Sequence, residues 1–139
     1  MHVIDLGHPI TDQMMVFPGD LTPSVKNGAT MEDNGWRTNL ISMSSHAGTP
    51  MDAPAHMVAD GCCMDELPNE TLFGFGLVID LRHCAGHRIE LSDIKASVKD
   101  VNYADFLLFR TDWSEKWNTE SYKEGFPTLS AEAARWVTK

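Results

Sequence analysis

Ser45-His46-Ala47-Gly48-Thr49-Pro50-Met51-Asp52-Ala53-Pro54-Ala55-His56 is the stretch on which the reading of this chain turns. It sets two imidazoles and one carboxylate among small residues. Pro50 and Pro54 lack the N–H that a β-ladder requires, so the run is not a regular strand. Pro54 also pushes Ala53 away from the α region, which rules out a long helix. A shaped loop with at most one helical turn is the expectation. One reading of its residues is a helix start, with Thr49 as N-cap, Pro50 in the first helical position and Asp52 reaching back. That reading leaves His46 and His56 without a role.

Upstream, the loop has a natural support. Residues 36–45 alternate well enough for a strand, with Ile41 and Met43 on one face, and that strand would deliver the loop at its end. Residues 3–6 read as a short first strand. Phe17-Pro18-Gly19-Asp20 is a turn signal, because glycine at the third position supplies the positive φ of a type II turn. Asn27-Gly28 and Asn34-Gly35 are both candidate hairpin turns. Downstream, residues 74–81 and 105–110 are near-continuous apolar runs of the kind found in buried strands. Between them Ser92 is placed to cap a short helix with Leu91, Ile94 and Val98 on one side. Strand, helix and strand at this spacing predict an α/β layer. Ser130 heads a last helix over 131–137, and the alternating pattern calls for a further strand beyond Lys139.

Composition narrows the function. The chain has 139 residues, which suits a single domain, 1–139. A formal net charge of -9 argues against a nucleic-acid partner, which would call for a basic patch. No apolar run approaches the ~20 residues of a membrane span, and the first residues lack the layout of a signal peptide. Three cysteines, Cys62, Cys63 and Cys84, are an odd number without zinc-type spacing. Partly buried thiols in a reducing, cytoplasmic setting are expected. Eight methionines are expected to fill gaps in the core.

Histidine and aspartate close together suit a divalent transition metal, since imidazole nitrogen and carboxylate oxygen both ligate zinc or manganese. The run from His46 to His56 resembles the H-x-G-T-H-x-D-x-P-x-H signature of the cyclase family of metal-dependent hydrolases, which includes bacterial kynurenine formamidase (arylformamidase) and isatin hydrolase. The resemblance extends to Asp5-Leu6 with His8-Pro9-Ile10, to Phe17-Pro18-Gly19-Asp20 and to Asp60-Gly61. It continues through Phe109-Arg110-Thr111 with Trp113 and Phe126-Pro127 before Leu129-Ser130. It covers essentially the whole chain and the first part of the family domain.

That resemblance implies a swivelling β/β/α fold, incomplete at the C-terminus and assembled as a homo-oligomer. It implies His46 and Asp52 as metal ligands, with zinc or manganese as cofactor. His56 is implied as the general acid and base, and Phe17 as part of a pocket for an aromatic substrate. The implied reaction is hydrolysis of a C–N bond in a small amide such as N-formylkynurenine. Pro50 departs from the pattern, standing where the signature has its second histidine. A further His and Glu of the family come from beyond this chain's last residue. Two ligands would then remain, giving weak metal retention or none. The alternative is a remnant of the fold that acts as a binding or regulatory subunit. His83 and His87, in a polar turn, are expected to be solvent-exposed.

Overall fold

Two apolar runs pair side by side in the second half of the chain. In the computed structural model, which describes residues 2–138, they form two parallel strands with Gly76 opposite Phe106 and Asp80 opposite Arg110. The chain divides into two compact units, Met1–Glu66 and Leu67–Lys139.

The second unit contains β3 (Gly76–Asp80), β4 (Arg88–Ile89), α2 (Leu91–Ser97), β5 (Phe106–Arg110), β6 (Thr128–Leu129) and α3 (Ala131–Val137). Its core is Ile79, Leu81, Cys84, Ile89, Ile94 and Ala133, with Leu91, Val98, Leu107, Phe109 and Trp136 packed against it. Alternation along β3 explains the set: Ile79 turns inward beside Leu77, and Val78 turns outward at 61% exposure. The helix α2 presents Ile94 to this core as its spacing predicts. Its cap differs from expectation. Glu90 is the N-cap and its N–H donates to Asp93 Oδ2 at 2.8 Å, while Ser92 lies inside the first turn. Asp93, at the third helical position, thereby satisfies the backbone N–H of the N-cap residue itself. Ser130 does cap α3, its Oγ accepting from the Ala133 N–H at 3.2 Å.

The expectation of two fully buried strands is corrected on one point. One face of the β3–β5 pair is covered by core residues. Val78 and Leu108, partners in the ladder, are exposed on the other. Parallel strands read as continuous apolar runs because both faces are ordinarily covered, and among the described residues only one is.

The first unit is built differently. β1 (Ser24–Ala29) and β2 (Thr38–Ser42) pair antiparallel, joined through α1 (Met31–Asn34). Asn34-Gly35 closes that connection, the Gly35 N–H returning to the Met31 carbonyl at 3.2 Å. Asn27-Gly28 is not a turn: it lies within β1, at a break in register between Asn27 and Ala29. A β-bulge absorbs the glycine there. Residues 3–6 form no strand either. The Asp5 side chain takes the Gly7 N–H at 2.8 Å, a local bond that competes with a ladder. Phe17–Asp20 is the expected turn, with Gly19 at φ 98 and the Asp20 N–H on the Phe17 carbonyl. Among the residues described in this unit, Met14, Pro23 and Ala47 are the buried apolar ones. Met31, Met51 and Met57 are exposed, so the methionines do not generally fill a core.

Candidate metal centre

The strand over 36–45 is shorter than its alternation suggests, because the chain turns at Ser44. Ser44 Oγ accepts the His46 N–H at 3.2 Å and the Ser44 carbonyl accepts the Ala47 N–H at 3.1 Å. These bonds end the ladder at Ser42 and throw His46 clear of β2. Ala47 is buried next in sequence, which anchors the base of the loop.

Thr49 and Pro50 do not start a helix. Thr49 Oγ1 instead accepts the His8 N–H at 3.1 Å, tying the loop to a segment 41 residues upstream. The one helical turn is a 3-10 turn over Pro54–His56, with Pro54 in the position where its missing N–H costs nothing. The Ala55 N–H donates to the Cys62 carbonyl at 3.1 Å, so the returning chain lies across this turn. Gly61 permits that crossing. A Cβ at this position would stand 2.5 Å from the Pro54 carbonyl carbon and 2.6 Å from the Ala55 nitrogen. The 3-10 turn, held from behind, projects His56 back toward the start of the loop.

The result is a cluster. His46 Nδ1 lies 3.1 Å from Asp52 Oδ1. The rings of His46 and His56 face one another at a centroid distance of 4.2 Å, tilted by 46°. One ligand atom from each of His46, Asp52 and His56 lies within 4.8 Å of the other two. All three side chains are exposed, so a metal or substrate can reach them. A neutral imidazole offers one lone-pair nitrogen and the Asp52 carboxylate an anionic oxygen to an incoming ion. Two nitrogens and one carboxylate oxygen are a donor set that zinc and manganese both accept.

Phe17 is not part of this cluster. It opens the Pro18-Gly19 turn with its ring 67% exposed. His83 and His87 are exposed, as expected. His83 does sit beside Cys84 and Asp93, a second grouping of possible ligand atoms that the sequence reading missed. Cys84 belongs to the hydrophobic core, and burial and the adjacent Asp93 carboxylate push its thiol pKa up. It is therefore a protonated core residue at neutral pH. At the ends of β3 and β5, Arg82 holds the Asp80 carboxyl well below the usual carboxylate range, and Arg110 Nε donates to Asp112 at 2.8 Å. All three cysteines are free thiols, with Cys63 exposed and Cys62 half-buried.

The Cyclase family model matches residues 4–139. The chain belongs to the Cyclase family. It is 28% identical over 138 residues to a kynurenine formamidase of Bacillus cytotoxicus, covering 98% of this chain and 63% of that protein. A kynurenine formamidase of Sphingopyxis alaskensis is 31% identical over 130 residues, 92% of this chain and 59% of the relative. Among solved structures, isatin hydrolase A from Labrenzia aggregata superposes with a TM-score of 0.77 at 23% identity, over 98% of this chain and 62% of that one. Isatin hydrolase A from Ralstonia solanacearum gives 0.78 at 21%, over 96% and 61%. The fold is thus the mixed α/β fold of these proteins, and the chain spans about three-fifths of their length. No described helix is long and apolar enough to cross a membrane.

Proposed function

We propose that this Cyclase-family chain carries the metal- and proton-handling part of a hydrolase that cleaves the C–N bond of a small amide. The two units are, in this reading, parts of one family domain. The observation that carries it is the convergence of His46, Asp52 and His56 within 4.8 Å. Kynurenine formamidases among its relatives favour an aryl formamide as substrate. Phe17, solvent-exposed, would offer an aromatic face to such a ring.

His46 and Asp52 would hold a zinc or manganese ion, which when bound supplies Lewis-acid polarisation of the amide carbonyl. His56 in the complete site accepts a proton from the attacking water and returns it to the departing amine. Water adds at the formyl carbon, the C–N bond breaks, and formate and the free amine leave. A second reading, a binding or regulatory subunit without catalysis, is favoured by Pro50, which offers no donor atom in the middle of the loop. The deciding experiment follows formate release from N-formylkynurenine by protein loaded with Zn²⁺ or Mn²⁺, by chelator-stripped protein, and by Pro50→His, which adds a donor. Release that depends on metal and rises at least about tenfold in Pro50→His is expected. No release from any metal-loaded form leaves the binding-subunit reading.

A further inference from the structure

We infer that His56 is the third protein ligand of a divalent-metal site formed with His46 and Asp52, so that in this chain one imidazole serves either the ion or the proton. The inference rests on the metal-dependent reading above and goes beyond it in assigning the ligand set.

The geometry points there from three directions. A catalytic zinc takes three protein ligands with one position open, and donors at about 2.1 Å from a shared tetrahedral ion stand roughly 3.4 Å apart. His46 and Asp52 are already at 3.1 Å. His56 has a donor within 4.8 Å of both, which leaves on the order of 1 Å to close. Both imidazoles are exposed, so rotation about their side-chain bonds meets no core packing. Second, the loop offers no competing ligand: residues 47–51 are Ala, Gly, Thr, Pro and Met, without an imidazole, thiolate or carboxylate. Third, the placement of His56 is built in. The Pro54 turn and the crossing at Gly61 fix the backbone that carries His56 before any ion arrives.

The functional consequence is a conflict over one ring. A ring nitrogen whose lone pair is given to the ion cannot take a proton from water. His56 can act as proton shuttle only after another donor has replaced it at the metal. A donor brought by a further polypeptide segment, or by substrate, would release His56 and switch proton transfer on. The chain by itself therefore keeps its ion and is slow in catalysis.

The test is zinc binding by the full chain, read by competition with a chromophoric chelator. Wild type is expected to bind one Zn²⁺, and His56→Ala to bind it at least tenfold more weakly. Nitrogen-15 NMR of the histidine side chains in unmutated protein gives a second measurement: one equivalent of Zn²⁺ should shift both His46 and His56. An unchanged zinc affinity in His56→Ala, an unshifted His56 ring, or no zinc uptake by wild type would each overturn the assignment. Failure of the hydrolase reading is distinguishable. Zinc held through His56 without formate release under any loading removes the hydrolase and leaves the ligand set. Metal-dependent formate release with zinc retained in His56→Ala does the reverse.

Discussion

The two units of this chain earn their order by different means. In Leu67–Lys139 order comes from burial: Ile79, Leu81 and Ile94 are almost completely removed from solvent and two helices close over them. In Met1–Glu66 it comes from hydrogen bonds between side chains and backbone, at Asp5, Thr30, Ser44 and Thr49. Burial contributes about 1.5–3 kcal/mol per large aliphatic side chain, and a hydrogen bond nets about 1 kcal/mol. The candidate metal centre lies in the weakly buried unit. Loops that bind ligands are commonly drawn from the low-stability end of a fold, and an arriving ligand can then supply part of the missing order.

The contrast is open to direct attack. The largest effect is expected from Ile94→Ala, which empties a fully buried position and should cost about 2–5 kcal/mol in urea unfolding. Leu40→Ala, on the exposed hairpin, should change stability by no more than about 0.5 kcal/mol. Equal losses at the two positions would refute the division between a packed and a stitched unit.

A smaller effect, confined to the loop, is expected of Gly61→Ala. Its methyl group would press on the backbone of Pro54 and Ala55 and displace His56. Zinc affinity should fall about tenfold, the scale seen when support around ligands is lost. Hydrogen exchange in β3, α2 and β5 should stay as in wild type. An unaltered zinc affinity would show that the crossing does not position His56.

The smallest effect sharpens the comparison through thiol chemistry. Cys63 and Cys62, in the loop-built unit, should react with Ellman's reagent in the native protein, and Cys84 only after unfolding. Because folding raises the Cys84 pKa, its neutral thiol is favoured in the folded state. This contribution is fully present below the unfolded value of about 8.5 and declines as pH rises above it. Stability of Cys84→Ser should lack that alkaline component. Rapid native labelling of Cys84 would contradict its burial.

Much of the packed unit was legible in the sequence, because apolar periodicity reports burial directly. Residues 74–81, 91–98, 105–110 and 131–137 each gave an element of the expected type. What could not be read was which face of the strands is covered, since Val78 and Ile79 are equally apolar and only the tertiary layer separates them. The stitched unit was harder. Alternation over 36–45 could not anticipate that Ser44 would turn the chain, and Asn27-Gly28 carries the same local signal as a true turn. At the site, His46, Asp52 and His56 were picked out as a group by residue type and by resemblance to the Cyclase signature. Their mutual distances were beyond the sequence, because the fold back at Gly61 depends on a contact with no periodic trace.

Gly61 carries one more implication. A substitution scan of this protein scored on metal uptake would return a position that offers no ligand, touches no ion and has no side chain at all. Its intolerance would be a record of clearance rather than chemistry: the site is spaced by an atom that is absent. Anyone designing the loop to hold a chosen ion should therefore begin at the backbone crossing, which leaves no room for a side chain, before exchanging the candidate donors themselves.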